Sequence, residues 1–226
     1  MKKMKFETPT DIKPFYYDND CVFYSNHFIV DGEQYNYDEI VAVIYEANER
    51  YMNGVRTSGK AEAHFYFTKS NDTILDFDSP DMGIFSLDLQ KGIIPSKSKT
   101  DNFNFVVTFL TTISFQNRLN RYLYFLKKDG YFVFGSLKFH DNGDIYSDNV
   151  FQGNIRKAFK EEKLIFGDSF STYKHRQVDP YRFGIIKGSK FFGLAHDIFE
   201  IRNCFNKDIF DLLIKNCIRN GKMSEF

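Results

Sequence analysis

The sequence predicts a β-rich α+β protein made of two antiparallel β-meander units, each closed by a C-terminal helix. Three observations carry that prediction. Of 226 residues, 27 are Phe and 14 are Tyr, flat side chains that suit half-buried pleated surfaces. Short aromatic and β-branched runs are divided by Asp-Gly, Asn-Gly and Gly-Ser pairs, which mark turns between strands. The order of hairpin, further strands and amphipathic helix occurs twice, at a spacing near 111 residues.

Residues 1–20 carry Pro9, Pro14 and several charges ahead of the first apolar run and read as an arm. CVFYSNHFIV, then Asp31-Gly32, then QYNY reads as two strands around a tight turn, because Asp-Gly supplies the positive φ such a turn needs. The β-branched Ile40, Val41, Val43 and Ile44 extend this as a third strand, with helix the competing reading. Asn53-Gly54 turns the chain, and AHFYFTK pairs with TILDFDS around Ser70-Asn71-Asp72. Pro80, Gly83, Gly92 and Pro95 punctuate a looser stretch with a short strand at IFSLDL. From Phe103 to about Lys128, Val106, Leu110, Ile113, Leu119, Tyr122, Leu123 and Leu126 recur at helical spacing, with Asp101 as cap and Gly130 as stop.

The order then begins again. YFVFGSLKFH, the turn Asp141-Asn142-Gly143 and DIYSD form a hairpin, followed by GNIRKAFKEEKLIFG, STYK, YRFGIIK and KFFGLAHDIFEI. Ile209, Phe210, Leu213, Ile214 and Cys217 make the stripe of a closing helix, capped by Asn206 and ended at Gly221. Phe23, Ser25, Phe28 and Asp31-Gly32 align with Phe134, Ser136, Phe139 and Asn142-Gly143. Three segments follow: an arm over 1–20, a first meander with the long helix over 21–130, and a second meander with its helix over 131–226.

A meander of short antiparallel strands closed by one amphipathic helix resembles the pleckstrin-homology-like superfold, GRAM-type members included. FYSNHFIVDGEQYNYDEIVAVIYE looks like the opening of such a domain, with Tyr37-Asp38 before the Ile that starts the third strand. The resemblance is architectural, and implies a small barrel or sandwich in each half and a function of the binding-module class. Phosphoinositide-binding members place a basic motif on the first strand pair and its loop. Here Asp31 and Glu33, and again Asp141 and Asp144, stand there, so the resemblance does not extend to headgroup binding.

Formal net charge is zero, yet residues 1–100 hold 11 Lys/Arg against 16 Asp/Glu and residues 101–226 hold 19 against 14. An anionic partner steered to the second half, pairing between the halves, or surface charge without a role each accounts for that asymmetry. Cys21, Cys204 and Cys217 form neither a CxxC pair nor an even framework, which places the chain in a reducing compartment. The N-terminus lacks the apolar stretch of a secretory signal, and the longest apolar run, Phe103 to Phe115, is too short to span a bilayer.

The five histidines, 27, 64, 140, 175 and 196, make no metal-ligand spacing. No GxSxG, GxGxxG or GxxxxGK[ST] occurs, so nucleophilic catalysis and phosphate cradling have no local support. Basic residues interleaved with aromatics stand out instead: Arg156, Lys157, Lys160 and Lys163 in one run, Tyr173, Lys174, His175, Arg176, Tyr181 and Arg182 in another. Such residues neutralise phosphates and stack on bases, or meet an acidic protein surface. Arg118, Arg121 and Lys128 form a further basic stripe that faces the acidic first half. The expectation is a cytoplasmic, non-catalytic binding or adaptor protein recognising a protein or peptide, without cofactor or metal. A nucleic-acid-binding protein using the basic second half is the alternative, and an enzyme whose residues the sequence does not place is the third.

Overall fold

A computed structural model of the chain describes residues 16–18, 21–52, 55–70, 81–91, 97–134, 137–167, 182–185 and 205–226. The described residues begin with four short strands, β1 (Tyr16–Asp18), β2 (Cys21–Phe23), β3 (His27–Val30) and β4 (Glu33–Asn36), paired antiparallel in that order. Alternation puts Cys21, Phe23, Phe28 and Val30 on one face, and all four are buried. A 3-10 turn, Tyr37–Glu39, then redirects the chain, with the Asn36 N–H donating to Glu39 Oε2 at 2.6 Å. The β-branched run settles as strand: β5 (Ile40–Met52), β6 (Val55–Phe67) and β7 (Gly83–Lys91) form a second antiparallel sheet. Its Phe67 and Phe85 rings both lie 5.4 Å from Phe28, so the two sheets face each other across an aromatic layer.

The helical run is two helices, α1 (Lys97–Ile113) and α2 (Phe115–Asp129), interrupted at Ser114. The Ser114 hydroxyl donates to Leu110 O at 2.7 Å and accepts from Arg118 Nε at 3.1 Å, a back-bond of the kind that bends helices. Asp101 falls inside α1 rather than at its cap. The change of direction has a packing consequence: Phe103, Val106 and Leu110 join the first core, whereas Leu119 and Leu126 join the second. Apolar packing therefore divides at Ser114, inside the segment the sequence assigns wholly to the first unit.

The second meander is β8 (Tyr131–Phe134), β9 (Leu137–His140), β10 (Asp144–Ser147) and β11 (Val150–Asn154), followed by the short helix α3 (Ile155–Lys160). Next come the paired strands β12 (Leu164–Gly167) and β13 (Arg182–Ile185), and the closing helix α4 (Lys207–Asn220). The predicted stripe of α4 is the buried one, and its Phe210 lies 4.4 Å from Phe134, 5.0 Å from Phe139 and 5.2 Å from Phe183. The structure is thus α+β with several open antiparallel sheets, and among the described residues none closes into the barrel that the resemblance allowed. The expected arm up to residue 15, TILDFDS, STYK and KFFGLAHDIFEI lie outside the described residues. Among those described, no helix is long and apolar enough to cross a membrane.

Where the halves meet, Arg118 of α2 is fully buried and donates from both terminal nitrogens to Asp208 of α4, at 2.8 and 2.7 Å. It also reaches Thr111 O and Asn206 Oδ1. Asn206 adopts left-handed backbone (φ 53), which Asn tolerates. Its side chain does not cap α4; it accepts from the Val43 N–H at 2.9 Å and donates to Val41 O at 3.2 Å on β5, while its own N–H donates to Val43 O at 2.8 Å. Arg118 thus pairs its charge with Asp208 while also holding Thr111 O of α1, and Arg121 of the same stripe reaches Ser70 O at 3.3 Å.

Candidate binding surface

One residue of turn length separates the two meanders. In the first, Val30 pairs with Glu33 across the two-residue turn Asp31-Gly32, with φ 52 and 81. In the second, three residues, Asp141-Asn142-Gly143, connect β9 to β10, and Gly143 alone has positive φ, 88. The extra residue is held by the Asn142 side chain, whose Oδ1 accepts from the Asp144 N–H at 3.0 Å. Shifting a strand by one residue moves its side chains to the opposite face. Tyr35 and Tyr146, at the same 111-residue spacing as the flanking phenylalanines, therefore face opposite ways. Tyr35 pairs with Phe28 and packs on Phe67 at 4.4 Å. Tyr146 pairs with Lys138 on the outward face, and Ile145 takes the core position opposite Phe139.

That flip completes a line of rings across all four strands. Tyr131 and His140 are a cross-strand pair with centroids 5.3 Å apart; His140 to Tyr146 is 5.0 Å, and Tyr146 to Phe151 is 5.5 Å. The rings are tilted 39°, 63° and 66° to one another, so the surface is ridged rather than flat. Val133 shares the face and is 57% exposed, and Phe151 is 54% exposed. Lys138 lies among them, its Nζ 5.3 Å from the Tyr131 centroid and 3.3 Å from Asn149 Oδ1. On the first meander the outward positions Val22 and Ile29 are half-buried and Gln34 is exposed, and among the described side chains the rings there are a single stacked pair, Tyr24 on His27 at 4.5 Å, by the β2–β3 turn.

The basic residues expected to bind a partner are dispersed. Arg156, Lys157 and Lys160 are exposed on α3 and, with Asn142, Asn154 and Glu161, line a concavity of about 390 Å³ beside the β9–β10 turn. The Arg156 guanidinium lies against Gly221 at the end of α4, where carbonyl groups attract a cation. Lys163 engages Glu161 at 2.8 Å, which holds that carboxyl below its usual range. Tyr173, Lys174, His175, Arg176 and Tyr181 lie outside the described residues, and of Arg182 the backbone pairs with Gly167. Sequence reasoning missed Tyr131, Lys138, His140, Tyr146 and Phe151 as a group. The signal was present in YFVFGSLKFH, whose alternation puts Tyr131, Val133, Lys138 and His140 on one face, and in the three-residue turn after it.

Among the described residues no cluster of His, Cys, Asp or Glu could hold a metal ion. Burial pushes the Cys217 thiol up to about 11, against a smaller opposing pull from Arg156, so it is protonated near neutrality. Comparison with protein-family models, with curated proteins and with solved structures gives no match.

Proposed function

We propose that the chain is a non-catalytic binding module recognising a protein or peptide partner, with the outward face of the second meander as the contact surface. The observation that carries this reading is the unbroken line Tyr131–His140–Tyr146–Phe151 on the solvent side of a sheet whose other side already fills a core. Aromatic side chains concentrate at the centres of protein interfaces, where each offers large area at low entropic cost. Strands hold them in place better than loops do. The pleckstrin-homology-like resemblance, in tandem, belongs to the same reading as an analogy, supported by the repeated order of meander and helix. A cytoplasmic setting goes with it, supported by the buried free thiols of Cys21 and Cys217.

A display library of randomised peptides tests it. Binders are expected to lose about tenfold or more in affinity to a Tyr146→Ala, Phe151→Ala double variant and to keep it for Gln34→Ala on the first meander. Binders that treat all three proteins alike would defeat the reading. Single-stranded nucleic acid is the second reading, favoured by the exposed cations Arg156, Lys157 and Lys160 on one short helix; salt-dependent retention of labelled oligothymidine is its signature.

A further inference from the structure

We infer that the outward face of the second meander selects an extended peptide with one central carboxylate flanked by apolar or aromatic side chains. This rests on the reading of that face as a peptide-binding surface and names its specificity.

Lys138 carries the argument. Its Cα partners are Val133 on β8 and Tyr146 on β10, so it stands inside the aromatic line rather than at its rim. Among the described residues its contacts are the Asn149 amide oxygen and the Tyr131 ring, neither of which carries charge. An ammonium held in this way has no counter-charge among the described residues, and a partner that buries it must supply an anion or leave it desolvated. The same arrangement rejects a partner with an apolar or cationic group at that point. On either side Tyr131, Val133, Tyr146 and Phe151 offer apolar surface to the residues flanking the anion.

Geometry decides between a peptide and a nucleic acid. The tilts of 39°, 63° and 66° between successive rings deny stacked bases a common plane. Exposed Asp148, in the turn between β10 and β11 and next to the Asn149 that holds Lys138, opposes a run of phosphates, whereas one central carboxylate has Lys138 to pair with.

The test uses the whole chain and three fluorescent peptide pools, randomised over Leu, Tyr and Phe around a central Glu, Gln or Lys, read by anisotropy. The Glu pool is expected to bind about tenfold more tightly than the Gln pool. Lys138→Met should erase that difference, and Lys138→Glu should transfer the preference to the Lys pool. Thermal melting and circular dichroism of both variants report whether the fold is kept. Pools bound equally, with binding still lost in Tyr146→Ala, Phe151→Ala, overturn the carboxylate specificity and leave the peptide-binding surface standing. No pool bound, or binding indifferent to the double variant, overturns the surface itself. Oligothymidine bound in place of the pools overturns both in favour of a nucleic acid.

Discussion

The first and second meanders share inward residues and differ outward. Phe23 and Phe28 stack in one core, and Phe134 and Phe139 meet edge to face in the other, with centroids 6.3 and 6.4 Å apart. On the far faces one carries Val22, Ile29 and Gln34 with a ring pair, Tyr24 on His27, the other a line of rings around a lysine. The difference teaches that one residue in a hairpin turn remakes a surface while the flanking phenylalanines keep their places, with one inward residue exchanged. The shorter turn sends Tyr35 inward, where Lys69 covers its ring at 4.5 Å and its hydroxyl donates to Glu33. The longer one sends Tyr146 outward and leaves the core to Ile145.

The largest expected effect lies where the two regions join. Arg118→Ala removes two hydrogen bonds to Asp208, one to Asn206 and one to Thr111 O. The carboxylate left behind, Asp208, is 28% exposed, so the cost should lie near the lower end of the ~3–5 kcal/mol for breaking a fully buried pair from one side. Because Asn206 also holds the β5 edge, the loss should reach both cores, and urea unfolding should show a lower midpoint at unchanged cooperativity. Two separate transitions would mean that the loss uncouples the halves instead of weakening both together, and an unchanged midpoint would mean that they are held together elsewhere.

The two turns should respond unequally to the same change. A Cβ at Gly32 meets nothing within 4 Å, so Gly32→Ala bears only its left-handed backbone, about 1–2 kcal/mol. A Cβ at Gly143 would stand 2.6 Å from Cys217 Sγ, at a similar φ. Gly143→Ala adds about 1–3 kcal/mol of overpacking to the backbone term. Equal losses in the two variants, measured by chemical denaturation, would show that the second turn gives way without disturbing α4.

The tyrosines sharpen the contrast further. Tyr35→Ala empties a site packed against Phe28 and Phe67 and should cost about 2–3 kcal/mol. Tyr146→Ala removes a ring from an outward face and should cost about 1 kcal/mol or less, its effect appearing in partner binding instead. The reverse ranking in thermal melts would mean that the line of rings supports the sheet more than it serves a surface.

Much of the architecture was readable because its causes are local. Turn pairs such as Asp31-Gly32 announce hairpins, and the stripe from Ile209 to Cys217 announces α4. The interruption at Ser114 was legible but overlooked: nine residues are about two and a half helical turns, so Leu110 and Leu119 stand on opposite faces of a continuous helix, and they enter different cores. The surface was hidden for a different reason. Charge is visible in a sequence, so Arg156 and Lys163 drew attention, but whether a cation already has a partner depends on contacts such as Gly221 and Glu161. A line of rings that crosses four strands diagonally has no spacing of its own, and its last two members depend on whether a turn holds two residues or three.

The pH effect is nil near neutrality and confined to the alkaline range, and it again separates the two cores. Burial raises the Cys217 thiol from 9.0 to about 11 and holds the Tyr37 phenol above its ordinary range. Both groups are neutral when protonated, and the folded state binds their protons more tightly than the unfolded chain does. Their contribution is therefore fully present below the unfolded pKa and is lost as pH rises through the folded one. Stability should be level up to about pH 8 and fall above 9, by no more than ~1.4 kcal/mol per pH unit for each group. Cys217→Ala should flatten the part of that fall between pH 9 and 11, and Tyr37→Phe should flatten the part that begins near 10. Urea midpoints across the alkaline range read both, and a Cys217→Ala profile that still falls from pH 9 would show that the thiol does not set the lower edge.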